Sequence, residues 1–270
     1  MAEASPFAVI VMAAQRAGVV NPLAERAGVS HKCVVPICGK PLILHVFEAL
    51  AATPGVSEVR VSLEPEAWDL VRALSAPLDD KGIALGFVAS AESIADSAYR
   101  SAEGIAGPFL ITTADNVLMT PDAARRMMAS VTEADVAVGL TTREAVLEAR
   151  GEVPGPDNTN VGPYKFSDVR VSNCNLYAFR SAEVLRAAEM FREGGQFSKS
   201  KGRLIRAVGL MNVVLVALGL VTLEGGFRRI SRRLGIRMAP VVLADGSQAI
   251  DVDNFKTYDR AERFLKQRAQ

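Results

Sequence analysis

Histidine is almost absent from the 270 residues: only His31 and His45 occur, which excludes a histidine-rich metal centre. Cysteine is scarce as well. Cys33, Cys38 and Cys174 are odd in number and show no C-x-x-C spacing, which points to unpaired thiols in a reducing compartment. G-x-S-x-G, G-x-x-x-x-G-K-[ST] and G-x-G-x-x-G are all missing, which argues against serine hydrolases, P-loop kinases and Rossmann dehydrogenases. Neither sign of charge is in excess, and a net of +1 gives no global pull toward nucleic acid. The stretch MAEASPFAVIVMAAQ has no basic region before its apolar run, so no secretory signal is read and a cytoplasmic location is expected.

Apolar residues make up 49% of the chain, enough to bury a full core, and one domain over residues 1–270 is expected. The organising stretch runs from Phe7 to Leu42. Phe7 to Ala14 reads as a strand buried on both faces, Gln15 to Lys32 as a polar, glycine-punctuated loop, and Pro41 as the first position of a helix. Strand patterns follow at 57–63, 83–89, 108–116, 134–141, 169–179, 236–243 and 248–252. Helical patterns fall at 64–75, 92–103, from Pro121, 181–193 and 255–268. The alternation predicts an α/β fold with a mostly parallel sheet, helices on both faces and ligands at the carboxyl ends of strands. Residues 150–162 are turn-rich and read as a flap over a substrate.

Two groups of charged residues sit where chemistry is expected. Lys32, after the loop, suits a polyphosphate, because loop amides and a cation offset its desolvation. Asp115 ends the apolar strand LITTAD and so reaches the ligand face of the sheet. Farther on, Asp251 and Asp253 lie in AIDVDN, and strand alternation sends both to one face, so spacing does not choose between them. Asp253 stands nearest the strand's end, with a helix N-cap as its alternative role.

Ala13-Ala14-Gln15-Arg16-Ala17-Gly18, His31-Lys32 and Gly39-Lys40-Pro41-Leu42 resemble the signature of the nucleotidyltransferase superfamily of GT-A fold, closest to MobA-like NTP transferases. Gln15 stands where the family usually has glycine. The resemblance implies a single GT-A type three-layer domain that moves NMP from an NTP, CTP or GTP by family habit, onto a phosphorylated acceptor with release of pyrophosphate. It implies that Ala13, Ala14, Gln15, Arg16 and Gly18 cradle the triphosphate and that Lys32 and Arg16 are catalytic, with Arg26 assisting. By the same resemblance Asp115 and Asp253 would hold Mg²⁺ and Ser97 would meet base or ribose, and Lys165, Asn173 and Asn175 resemble the elements that hold the acceptor, Asn175 replacing a glycine. The alternatives are a GT-A glycosyltransferase and an inactive, membrane-associated binding protein.

Ala207 to Leu223 is an uncharged run of 17 residues. Residues 199–237 around it hold nine basic side chains and one acid, Glu224, a local net of +8 that leaves the rest at −7. A helical insert over about 203–234 is expected. It is read as a buried hairpin, as an interfacial element on an anionic membrane, or as a span, for which it is short. The partners expected are thus an NTP, a phosphorylated small-molecule or lipid acceptor, an anionic membrane surface reached through 199–237, and a second copy of the chain, but no nucleic acid.

Overall fold

The computed structural model describes residues 5–15, 21–155, 158, 160–187, 215 and 218–268. Its strands are β1 (Phe7–Met12), β2 (Pro36–Ile37), β3 (Lys40–Pro41), β4 (Val56–Leu63), β5 (Ala84–Ala89), β6 (Phe109–Thr113), β7 (Val136–Thr142), β8 (Tyr164–Lys165), β9 (Arg170–Phe179) and β10 (Met238–Leu243). Helices α1 (Pro22–Ala27), α2 (Leu42–Ala51), α3 (Trp68–Arg72), α4 (Ala76–Asp79), α5 (Ile94–Ala102) and α6 (Pro121–Ser130) precede α7 (Arg143–Arg150), α8 (Ala182–Ala187), α9 (Leu223–Leu234) and α10 (Phe255–Arg268). Eight strands form one sheet in the order β10-β7-β9-β6-β1-β4-β5, with β8 paired to β9. Within this sheet all pairings are parallel except those of β9 with β6, β7 and β8, and β2 and β3 form a separate antiparallel pair. The expected α/β architecture is therefore present.

Why β1 lies at the centre follows from its composition. Val9 and Val11 pack with Val59 and Val61 of β4 against Val46, Phe47 and Leu50 of α2, while Ala8 and Ile10 face Ala98 of α5 on the other side. A strand apolar on both faces can only be satisfied between two helical layers. Each of the valine, isoleucine, leucine and phenylalanine side chains, fully buried, contributes about 1.5–3 kcal/mol. A third apolar cluster sits beyond the carboxyl ends of the strands. There Leu23, Val35, Ile37, Leu42, Leu118, Ile250, Val252 and Ala261 gather segments from both ends of the chain.

Several expected elements differ. The stretch 15–32 is not all loop: Asn21 Oδ1 accepts from the Leu23 amide at 2.9 Å, Pro22 opens α1, and Gly28 closes it at φ 66°. These are a cap, a first-turn proline and a left-handed stop, a legible set of helix signals. Pro41 is the N-cap of α2 and not its first residue, because it pairs with Pro36 across the β2–β3 hairpin. Helical signal at 64–75 resolves into a 3-10 turn, Pro65–Ala67, and the short α3. Residues 248–252 are not a strand. Asp245 Oδ1 accepts from the Ser247 amide at 2.8 Å and starts a 3-10 turn over Gly246–Ala249, an Asx geometry that competes with sheet pairing. The turn-rich reading begins one residue early, since α7 ends at Arg150.

Of the expected insert, the segment 203–214 and most of the uncharged run lie outside the described residues; α9 belongs to the part inside them. No helix among the described residues is long and apolar enough to cross a membrane.

The far edge of the sheet is tied by Asp135. Its carboxylate accepts from the Arg237 amide at 2.8 Å and from Arg237 Nη2 at 3.1 Å, with Arg180 Nε at 3.4 Å. Burial alone would raise this carboxyl, but the bonds from Arg237 and the charges of Arg237 and Arg180 hold it below the usual carboxylate range. Its stabilising contribution is therefore present above about pH 4, the unfolded value, and lost as pH falls through the lower folded value. Asp135→Asn is expected to lose about 1 kcal/mol of stability at neutral pH. Urea unfolding at neutral pH and below about pH 3 checks this: the gap to wild type should close in acid, and an unchanged gap contradicts it.

Candidate active site

Three chain segments meet where β1 and β6 end. The Ala13 amide donates to Ser62 O and the Ala114 amide to Met12 O, both at 2.9 Å, so the pairing continues past the strands and brings Ala14 and Asp115 out at one edge. Gln15 follows. Its backbone N–H donates to Glu64 Oε1 at 2.9 Å, its Nε2 to Ser30 O at 2.9 Å, and its Oε1 accepts from the Lys32 amide at 3.3 Å. The side chain at the usual glycine position is thus a strap that holds the start of Lys32's 3-10 turn against the end of β1.

Lys32 Nζ is ion-paired with Asp115 Oδ2 and, at 2.8 Å, with Asp253 Oδ1. Burial pulls its pKa down, yet the charges of Asp115 and Asp253 outweigh this and keep the ammonium above its ordinary range. Asp251 joins them: oxygens of Asp115, Asp251 and Asp253 all lie within 4.8 Å of one another. Burial, followed by the negative charges of Asp115 and Asp253, pushes the Asp251 carboxyl up to about 7. Burial acts on Asp253 in the same sense, but Lys32 holds it below the usual range.

How Asp251 and Asp253 reach one place is a matter of local packing. Ile250 and Val252 are buried in the third apolar cluster, and the Val252 amide donates to Asp115 O at 3.1 Å. In an extended segment the two aspartates between and after them must then point the other way. The cap of α10 belongs to Asn254, whose Oδ1 accepts from the Thr257 amide at 3.1 Å, so Asp253 is not used as a cap.

The chemistry of this donor set fits a hard divalent cation. Asp115 and Asp253 are paired with one ammonium, Asp251 lies beside them, and Asp115 Oδ1 is buried without a hydrogen-bond partner among the described residues. Such an oxygen is a ready ligand for Mg²⁺, which takes one or two carboxylates and completes its shell with water and phosphate.

Asn175, at φ 49°, occupies the left-handed region, where asparagine is among the few side chains tolerated and where the resembled element has glycine. It sits where the pairing of β7 with β9 shifts register, and its Nδ2 donates to Asp251 Oδ2 at 3.0 Å. Asn173 Nδ2 bonds both Asn175 Oδ1, at 3.2 Å, and the Tyr177 hydroxyl. Buried Asn116 anchors the same place, donating to Cys174 O at 3.1 Å and to Thr112 Oγ1 at 3.2 Å.

Other expected residues are placed differently. Ser97 is 2% exposed; its hydroxyl accepts from the Ala91 amide at 2.8 Å and donates to Ser93 O at 2.9 Å, so it shapes the 91–93 turn from inside. Lys165 is exposed on β8, its stem against Gly219, with no bond to the Lys32 cluster. The Arg26 guanidinium lies 5.0 Å over the Phe255 ring. Arg16 and Gly18 lie outside the described residues. All three cysteines are free, and burial pushes the Cys33 thiol up to about 12. The sequence reading missed Asn116 and the Gln15 strap. An Asn directly after the strand-ending aspartate was a signal for the first; nothing local marked the second.

The family model for a MobA-like NTP transferase domain matches residues 9–208. No curated protein sequence matches the chain. Among solved structures, a hypothetical transferase from Thermus thermophilus is 24% identical, covers 94% of this chain and 100% of its own, and superposes with a TM-score of 0.72. A 4-diphosphocytidyl-2C-methyl-D-erythritol synthase from Anaerococcus prevotii DSM 20548 is 9% identical over 97% of this chain and 96% of its own, with a TM-score of 0.61. A CMP:2-keto-3-deoxy-manno-octonic acid synthetase complexed with CTP is 16% identical over 97% and 99%, with a TM-score of 0.54. At these identities the likeness speaks for the fold.

Proposed function

The chain belongs to the MobA-like NTP transferase family, and on that premise we propose that it is a single Mg²⁺-dependent domain moving NMP from an NTP onto a phosphorylated acceptor. A phosphate oxygen of the acceptor attacks the α-phosphorus in line, a P–O–P bond forms, and the bond to the β-phosphate breaks, so that pyrophosphate leaves. The single observation that carries this reading is the meeting of Lys32 with Asp115, Asp251 and Asp253 at the ends of β1 and β6.

The reaction needs little covalent help and much positioning of charge. Lys32 is held by Gln15 beside the loop that cradles the triphosphate, and donor binding re-aims its ammonium from carboxylate to phosphate oxygens, one charge-assisted bond for another. Arg16 and Gly18, which lie outside the described residues, are assigned to the same triphosphate. Asp115 and Asp253, with Asp251 behind them, would hold the metal, which when bound supplies positive charge to phosphate oxygens. Asn175 keeps Asp251 in place, and Asn173 and Lys165 line the acceptor's side. The names of two similar structures, a diphosphocytidyl synthase and a CMP-forming synthetase with CTP, support CTP as donor ahead of GTP.

Pyrophosphate release on incubation with each of the four NTPs and a panel of phosphosugars, phosphopolyols and lipid phosphates tests the reading. Release with one donor and one acceptor class is expected. Turnover of nucleotide sugars without pyrophosphate release replaces it with GT-A glycosyl transfer, and no turnover of either leaves a binding protein.

A further part of the reading is peripheral attachment at the inner face of a membrane, favoured by α9, where Arg228, Arg229, Arg232 and Arg233 are all exposed. Each engaged arginine contributes about 1 kcal/mol near an anionic surface. Wild type is expected to pellet with anionic vesicles at low salt and the four-fold Gln variant to stay in solution. If wild type ignores such vesicles, an interface with a second copy takes their place, checked by light scattering.

A further inference from the structure

Helix α7 buries Val146 and Leu147 against Val161 and Ala249. Arg143 and Arg150 are seven residues apart and flank that stripe on the same face, whereas Glu144 and Glu148 are exposed on the other. Two arginines therefore run along the inward side of the helix. Gly246 sets how closely α7 approaches the active site: a Cβ there would lie 2.0 Å from the Ala145 carbonyl oxygen. Backbone thus lies on backbone, and the 3-10 turn that begins at Gly246 leads directly into Asp251.

Neither arginine is fully paired by the described residues. Nε of Arg143 and Nε of Arg150 are both sheltered and without a partner among them. Arg143 gives one bond, from Nη2 to Asn158 Oδ1 at 3.1 Å, while Arg150 makes no hydrogen bond and no ion pair with any described residue. Beside it stands a second cation, Arg260 of α10, which is ion-paired with Glu152. Burial and then the charge of Arg260 lower the pKa of Arg150, and Glu152 and Asp251 offset them only in part. A guanidinium Nε–H sheltered without a described partner, next to a like charge, is a cost in the free protein. An anion removes it.

We propose that Arg150, with Arg143 beside it, holds the phosphate group of the acceptor. The position favours acceptor over donor. The nucleotide loop follows β1 and α7 follows β7, with β6 and β9 between these strands, so the two lie on opposite sides of the carboxylates. A phosphate monoester approaching Asp115 and Asp251 is repelled by them, and a forked cation on its own side of the site is what draws it in. The word acceptor rests on the nucleotidyltransferase reading; the anion site does not.

The test is calorimetric titration with inorganic phosphate in the presence of saturating α,β-methylene CTP, followed by titration of the analogue itself. Wild type is expected to bind phosphate with the analogue already in place. Arg150→Gln should bind phosphate at least about tenfold more weakly, with analogue affinity unchanged, and Arg150→Lys, which keeps the charge but loses the fork, should fall between. The lysine variant carries the test if the glutamine variant does not fold. Phosphate affinity equal to wild type in both variants overturns the site. A parallel loss of analogue affinity also overturns the proposal, because it gives Arg150 to the donor's phosphates. If no NTP releases pyrophosphate while Arg150→Gln alone loses phosphate, the transferase reading falls and the anion site stands.

Discussion

Lys32→Ala is expected to lower kcat at least about 10²-fold, because it removes a charge-assisted contact that strengthens as charge grows on the α-phosphate and the leaving group. The same change has a second, opposite consequence in the free protein. Lys32 Nζ lies between Asp115 and Asp253, so its ammonium competes with any cation for these oxygens. Without it the three carboxylates face each other uncompensated. Stability without metal should then fall by about 1–3 kcal/mol. Divalent metal should bind more tightly in the absence of nucleotide than it does to wild type and should restore the lost melting temperature. Steady-state kinetics with calorimetry of Mg²⁺ or Mn²⁺ in wild type and variant decides it. A fully active Lys32→Ala protein would sink the assignment.

Asp115→Asn is expected to abolish activity together with metal dependence, a loss of roughly 10³-fold, since a neutral amide is a poor partner for a hard cation that supplies several kcal/mol of charge stabilisation. The fold should survive, because the backbone carbonyl of Asp115, which accepts from the Val252 amide, is retained. Asp253→Asn should act in the same direction and more weakly, its side chain being 60% exposed against 15% for Asp115. Asp251→Asn removes a carboxyl that is pushed up to about 7 and already bonded by Asn175, so its effect on metal affinity should be the smallest of the three. If Asp251→Asn destroys metal affinity and Asp253→Asn leaves it intact, Asp251 is the second ligand.

These expectations show where sequence reading ends. Lys32, Asp115 and Asp253 were legible because each closes a local pattern: a loop before a short apolar piece, an apolar strand ending on a carboxylate, and a carboxylate ahead of a helix. Even the alternation argument for Asp251 and Asp253 survived the absence of a strand there, because Ile250 and Val252 turn inward whether or not the segment pairs. Helix α1 is also written in plain cap, proline and glycine signals, but at six residues it is too short to show an apolar period.

What periodicity fixes is the class of each segment and the face it buries, since apolar spacing acts through neighbours along the chain. The α/β order, the central place of β1 and the residues at strand ends follow from that alone. Which charges meet is settled by contacts between distant segments, and no local rule encodes them. Lys32 and Asp253 stand 221 positions apart and Lys32 and Asp115 stand 83 apart. Only the packed structure shows that Gln15 straps Lys32, that Asn175 adopts a left-handed backbone to reach Asp251, and that Arg150 is turned inward without a partner among the described residues. The reason is physical: burial and the third apolar cluster bring these side chains into a low-dielectric corner, where their mutual charge, and not their order in the chain, decides what they do.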